Sequence, residues 1–143
     1  MRKLSWLFLL LLAACASGPK FDTVENTLAA NPPGKARIFF YRSTALGTAI
    51  QPEIKLNGAV VGKAEPLGVF FVDVDPGNME VITGSEVEKK LTFQVAPGER
   101  RYVRAAVGFG VVVWRVYPEL VDEAEAKKEI SGLSYTGGSA AKQ

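Results

Sequence analysis

The chain has no histidine and a single cysteine among its 143 residues. The absence of histidine excludes His-based catalytic triads, Cys–His nucleophile pairs and the usual zinc sites that combine these two side chains. One cysteine cannot form a disulfide within the chain, so the fold must depend on its hydrophobic core. We therefore predict no metal site, no cofactor and no catalytic residue, and hence a protein that is not an enzyme.

The chain also lacks an apolar run long enough to span a membrane. Residues 4–14 are almost all apolar, whereas a spanning helix needs about 20 such residues. Arg2 and Lys3 give a basic start, and small residues precede Cys15. A basic start, a short apolar stretch and small residues are the parts of a secretory signal peptide, which we predict for residues 1–14.

The stretch Leu12-Ala13-Ala14-Cys15 resembles the lipobox of bacterial lipoproteins. In those proteins the cysteine thiol receives a diacylglyceryl group, the signal is cleaved and the new amine is usually acylated. The resemblance implies lipidation of Cys15 and anchoring in the bacterial cell envelope. Because Ala16 and not aspartate follows, the implied location is the outer membrane, facing the periplasm. The alternative is an ordinary signal peptide that ends near a cysteine.

Charge gives no reason to expect a nucleic-acid partner. Loss of Arg2 and Lys3 with the signal lowers the number of basic residues from 17 to 15, which equals the 15 acidic residues. A protein that binds nucleic acid through its backbone normally carries a basic surplus. The partners that we expect are the membrane, through lipid on Cys15, and an envelope protein or glycan.

Composition divides the remaining chain into three parts. Residues 15–34 are predicted to be a lipidated cysteine and tether, because breakers stand at Gly18-Pro19 and at Asn31-Pro32-Pro33-Gly34. Residues 35–133 are predicted to be the folded domain. Residues 134–143, rich in Gly, Ser and Ala, are predicted to be a flexible tail.

Apolar and polar residues alternate with period two through most of the domain. Turn signals at Asn57-Gly58, Pro76-Gly77 and Pro97-Gly98 separate the runs. About seven or eight short strands at spacings near ten residues predict a mainly β fold, either an antiparallel β-sandwich or an open barrel. Residues 119–130 have acidic residues first and basic residues later, which predicts a short C-terminal helix.

Residues 34–42, Gly-Lys-Ala-Arg-Ile-Phe-Phe-Tyr-Arg, resemble the opening of an uncharacterised bacterial lipoprotein family catalogued as domain of unknown function twenty-eight forty-six. The Asn57-Gly58 hairpin and residues 71–77 and 98–104 fit the same pattern. The order of hairpin and Pro-Gly turns is similar, more weakly, to PEGA-type surface modules. The family resemblance implies a β-rich envelope lipoprotein, and it implies no reaction.

Arginine and aromatic residues form the most suggestive group of side chains. Arg37 and Tyr41 share one strand face, and Tyr102 and Arg104 share another. If these strands pair, the four side chains form a candidate binding patch for an anionic glycan, a lipopolysaccharide phosphate or a protein. The alternative is that the charges solvate an outer face and protect strand edges from pairing.

Two weaker features leave alternatives open. Asp73 and Asp75 lie two apart in a strand, about 7 Å from each other, a spacing compatible with a carboxylate pair that cleaves glycosides; the other interpretation is a solvated face that runs into a turn. Phe109, between two glycines, is either a plain hairpin tip or an exposed anchor.

The sequence thus favours a membrane-anchored lipoprotein that acts as a non-catalytic envelope binding module. One alternative is a carboxylate-dependent enzyme that acts on envelope polysaccharide. The other is a structural lipoprotein whose sheets self-associate.

Overall fold

The computed structural model describes residues 16–84 and 88–137. The predicted mainly β class with a C-terminal helix is confirmed, and the lipidation predicted at Cys15 lies outside the described residues. In chain order the elements are α1 Phe21–Glu25, β1 Ala36–Arg42, β2 Glu53–Leu56, β3 Ala59–Lys63, β4 Gly68–Val74, β5 Gly77–Thr83, β6 Lys89–Val95, β7 Arg100–Phe109, β8 Trp114–Val121, α2 Glu123–Ile130 and β9 Ser134–Tyr135.

The strands form two packed sheets, both open. Sheet A has the order β8-β7-β1-β4-β9 and sheet B the order β3-β2-β5-β6. Sheet A is mixed and not antiparallel, because β1 pairs in parallel with β7 and β4 with β9. The N–H of Gly98 donates to the carbonyl of Lys35 at 2.9 Å, so the chain returns from sheet B beside the start of β1 and runs along it. An alternating pattern reports which face a residue occupies and carries no information about strand direction.

Strand β1 is buried along its whole length because both of its faces are covered. Ile38 and Phe40 belong to the core between the two sheets. Phe39 and Tyr41 belong to a second core on the other side of sheet A, beneath the helices. The continuous apolar run in this strand is typical of a strand that is covered on two faces.

Helix α2 forms a third layer over sheet A. Its N-cap is Asp122, whose carboxylate accepts the N–H of Glu125 at 3.0 Å. Ala126 and Ile130 are buried against the sheet. The helix begins later than predicted, since Pro118 and the three residues that follow it continue β8 at the edge of sheet A, where a proline is tolerated.

The segment that we predicted as a tether packs, in part, on this body. Phe21 is fully buried, with its ring 5.9 Å from that of Phe39. The N–H of Phe21 donates to the carbonyl of Leu133, and the N–H of Tyr135 donates to the carbonyl of Pro19, both at 2.8 Å. Tyr135 is in β9, within the predicted tail. A large aromatic side chain in a polar segment is the physical reason that the segment docks.

The two ends of the sandwich differ. The tight turns at residues 57–58, 75–76 and 97–98 lie at one end, beside the start of β1. The opposite end holds the last residue of β1, Arg42, which pairs with Gly68 at the start of β4. The N–H of Ala16 donates to the carbonyl of Pro66 at this end, at 2.9 Å; we call it the Ala16 end.

Candidate functional site

The four residues of the predicted binding patch do come together. Strands β1 and β7 are neighbours, with Tyr41 opposite Arg104 and Phe39 opposite Tyr102. Arg37, Tyr41, Tyr102 and Arg104 therefore lie on one face of sheet A. That face is covered by the helical layer, and the first three side chains are only 2–3% exposed. The structure presents them as a covered cluster and not as a surface patch.

Arg104 is the charged centre of this covered cluster. One terminal nitrogen donates to Glu125 at 2.9 Å and to Glu129 at 2.7 Å, both on α2. The other terminal nitrogen and Nε donate to Glu119 on β8, at 2.9 and 3.1 Å. Burial lowers the pKa of Arg104, but the hydrogen bonds and charges of these carboxylates outweigh it and raise the pKa above its usual value. Arg104 thus joins β7, β8 and α2 as a permanent cation.

The two tyrosines are held neutral as hydrogen-bond donors. The hydroxyl of Tyr41 donates to Glu129, and burial, followed by this hydrogen bond, raises the pKa of Tyr41 well above its usual value. Burial and then the charge of Glu123 raise the pKa of Tyr102 to about 12. The Tyr102 ring stacks on Phe39 with centroids 4.9 Å apart. Both phenols therefore serve as neutral parts of the packing.

Arg37 and the two aspartates are also satisfied within the chain. Arg37 donates to both carboxylate oxygens of Asp73, at 2.7 and 3.0 Å, and lies 4.2 Å above the ring of Phe71. Asp75 forms an ion pair with Lys35 at 2.7 Å. Each carboxylate of the alternative enzyme hypothesis thus has a cation at hydrogen-bonding distance.

Sequence reasoning missed the acidic half of the covered cluster. Glu125 and Glu129 lie four apart on α2, a spacing that places both on one helix face, and this was the available signal. Nothing in the sequence indicated that this face would pack against Arg104. The predicted binding patch, which we expected to be exposed to solvent, is therefore half of an internal ion-pair network.

The outer face of sheet B is the open face of the sandwich. It is made of residues of β2, β3, β5 and β6 that point away from the core: Lys55, Val60, Glu80, Ile82, Lys90, Thr92 and Gln94. We call this the sheet-B face. It has two depressions of about 380 and 430 Å³, one beside Thr92 and the other beside Lys55.

Two kinds of feature are absent from the described ranges, 16–84 and 88–137. These ranges contain no group of three or more metal-binding side chains of the kinds His, Cys, Asp and Glu. None of the helices in these ranges combines the length and the apolar character that crossing a membrane requires.

The raised pKa of Tyr102 predicts a loss of stability at high pH. An unfolded tyrosine ionises near pH 10, whereas folded Tyr102 ionises near 12. Between these values the unfolded chain binds fewer protons, so stability present below pH 10 falls as pH rises, by up to about 3 kcal/mol. We expect Tyr102→Phe to remove part of this fall in urea unfolding measured from pH 9 to 12. Tyr117→Phe, at an exposed tyrosine, should leave the fall intact; equal pH dependence in both variants would contradict the assignment.

Comparisons with known proteins place the chain among uncharacterised relatives. No solved protein structure matches it significantly. An "Uncharacterized protein" of Haemophilus influenzae is 28% identical over 130 residues, which cover 87% of this chain and 77% of the relative. The family described as "Protein of unknown function (DUF2846)" matches residues 32–116, more than half of the chain. The protein therefore belongs to this family, the one that residues 34–42 and the turn segments had indicated.

Proposed function

We propose that the protein is a lipid-anchored component of the bacterial cell envelope whose body is a non-catalytic interaction module. The observation that carries the proposal is the contrast between the two sides of the sandwich. The outer face of sheet A is covered by helices and its charges are paired internally. No residue in the described ranges covers the sheet-B face, which is mostly polar and shallow, so a partner has direct access to it.

The N-terminal sequence supports the anchor. A basic start and a short apolar run lead to Leu12-Ala13-Ala14-Cys15, and Cys15 is the only thiol of the chain. Two or three acyl chains on one residue hold a protein to a bilayer far more firmly than a single chain does. Ala16 lies at one end of the sandwich, so a lipid on the preceding residue turns that end toward the membrane. The outer membrane, facing the periplasm, is the proposed location.

The engagement of the acidic residues supports a non-catalytic role. A general acid or base must reach a proton of the substrate with a pKa near the working pH. Arg37 binds both carboxylate oxygens of Asp73, and Lys35 binds one oxygen of Asp75. Using either as a catalyst requires breaking an ion pair that already satisfies it, so no specific observation favours the enzyme.

The chemistry of the sheet-B face indicates the kind of partner. Lys90 and Glu80 form an exposed ion pair at 2.9 Å, and Thr92 and Gln94 add neutral donors and acceptors. Small-molecule sites are usually concave and mostly apolar, whereas this face is open and mixed in charge. It suits a protein surface or a cell-wall glycan bound through several hydrogen bonds.

A photo-crosslinking residue at position 92 tests this function in cells that make the full chain. We expect Thr92→p-benzoylphenylalanine to give one discrete adduct with an envelope protein or glycan. Lys128 is exposed on α2, on the opposite side of the molecule, and the same substitution there serves as the matched control. Equal labelling at the two positions, or no adduct at position 92, would contradict the proposed face. An adduct of twice the chain mass would indicate self-association instead.

A further inference from the structure

The β7–β8 hairpin ends in an exposed apolar tip. Residues 105–114 contain no charged side chain. Val111 is 92% exposed, Val112 79% and Phe109 65%. Gly47 of the β1–β2 loop packs against Trp114, which places the exposed Leu46 beside the hairpin. We call the group the apolar tip: Leu46, Phe109, Val111, Val112, Val113 and Trp114.

The composition of this tip departs from the other turns of the same chain. Hairpin turns normally use Gly, Asn, Asp, Pro and Ser, which favour turn geometry and water. The turns at Asn57-Gly58, Pro76-Gly77 and Pro97-Gly98 follow that rule. The three successive valines at this protruding tip depart from that rule. Contiguous exposed apolar surface of this kind marks an interaction site.

The tip projects from the Ala16 end. Strand β7 runs parallel to β1, with Arg104 opposite Tyr41. It continues past the level of Arg42, where β1 ends, as far as Phe109. Four residues beyond that level, at about 3.3 Å each, add roughly 13 Å. Ala16, the residue that follows Cys15, packs against Gly68, which pairs with Arg42. The hairpin therefore extends past the level of Ala16.

We propose that the apolar tip inserts into the bilayer that holds the lipid on Cys15, as a second membrane contact. The proposal rests on the lipid anchor of the proposed function. Amphipathic segments enter the interface by about 5–10 Å, a depth that the protruding tip can reach, and tryptophan favours that zone. The N–H of Gly110 donates to the carbonyl of Val113 at 2.7 Å, which satisfies two polar groups of the inserted turn.

The shape of the tip favours lipid over a second protein. Side chains on a convex hairpin point in several directions, and a fluid hydrocarbon phase covers all of them, whereas a flat protein surface covers one side. Residues 105–114 also offer a protein partner no charge with which to fix its register. With the anchor and the tip both in the bilayer, the body is held in one orientation and the sheet-B face points sideways, clear of the membrane.

Trp114 provides the test, because the other tryptophan of the chain, Trp6, lies in the predicted signal peptide. The mature protein is purified from membranes and reconstituted in phosphatidylethanolamine–phosphatidylglycerol vesicles with and without brominated acyl chains. We expect the brominated lipids to quench Trp114 emission by about twofold or more, as contact at interfacial depth requires. Val112→Asp should abolish most of the quenching. Val60→Asp is the matched control, since Val60 is exposed and belongs to the hairpin of residues 57–58 at the other end.

The mass of the N-terminal peptide, measured on the same sample, separates the two proposals. A lipidated Cys15 with an unquenched Trp114 would overturn the membrane contact and leave the anchor intact. Equal quenching in Val112→Asp would also overturn it. A blue-shifted Trp114 that brominated lipid does not quench, and that depends on protein concentration, would assign the tip to a second copy of the chain. An unmodified Cys15 would overturn the anchor and this inference with it.

Discussion

Arg42→Leu is expected to lower the free energy of unfolding by about 3–5 kcal/mol, because loss of the buried guanidinium leaves several main-chain acceptors without donors. Arg42 is fully buried, and burial lowers its pKa. It donates to the carbonyls of Ile50 and Ala64 at 2.6 and 3.0 Å, and to those of Leu46 and Gly47. These bonds hold the loop after β1 at the Ala16 end. Urea unfolding followed by circular dichroism measures the loss.

One further substitution separates the hydrogen bonds of Arg42 from its charge, and a second, at another arginine, is the control. Arg42→Lys keeps the charge and fewer donors, so we expect an intermediate loss. Arg115→Leu removes a half-buried arginine of β8 and should cost no more than about 1 kcal/mol, as for most surface positions. A loss below about 1 kcal/mol in Arg42→Leu itself would contradict the role given to these carbonyl contacts.

Phe21→Ala is expected to destabilise the fold by about 3–5 kcal/mol and to release the N-terminal segment. Phe21 is fully buried between Phe39 and Tyr135, with ring centroids 5.9 and 6.3 Å away. Its loss leaves a cavity in the core beneath the helices. Thermal unfolding measures the stability, and limited proteolysis after Lys20 reports on the release of the segment.

Phe109→Ala is the matched control for Phe21→Ala. Its ring is 65% exposed and contacts Trp114 at 5.1 Å, so we expect a loss of no more than about 1 kcal/mol. If the two variants unfold alike, or if Lys20 stays protected in Phe21→Ala, residues 16–34 do not depend on Phe21 for docking.

The strands were predictable from the sequence because local chemistry fixes them. Alternation places Leu91, Phe93 and Val95 on one face of β6, and Asn57-Gly58 takes positive φ at both residues of its turn. Each feature depends on residues close together in the chain. For that reason the class, the turns and the C-terminal helix could be read without a structure.

The arrangement around the predicted patch was not predictable because it depends on contacts distant in sequence. The parallel pairing of β1 with β7 brings Tyr41 beside Arg104, and α2 then covers both with Glu129. A local pattern shows that Arg104 is charged and that Glu129 is on a helix. It does not show that the two meet, so an internal network was taken for an exposed surface.

The docked N-terminal segment has a consequence for the proposed lipid anchor. Phe21 and Pro19 tie residues 16–34 to the body, whereas a free tether of about 20 residues has a root-mean-square reach of roughly 25 Å. With the segment docked, the proposed lipid on Cys15 would hold the Ala16 end close to the membrane. The distance between bilayer and sheet-B face is then set by the fold and not by a flexible chain.

Intact-mass spectrometry of protein extracted from cell membranes decides whether Cys15 carries the proposed lipid that places this body on a membrane. If the lipid anchor is present, we expect a chain that begins at Cys15, with the added mass of a diacylglyceryl group on its thiol and usually an acyl group on its amine. A chain that keeps residues 1–14, or one that begins at or before Cys15 with a free thiol, would contradict the lipid anchor.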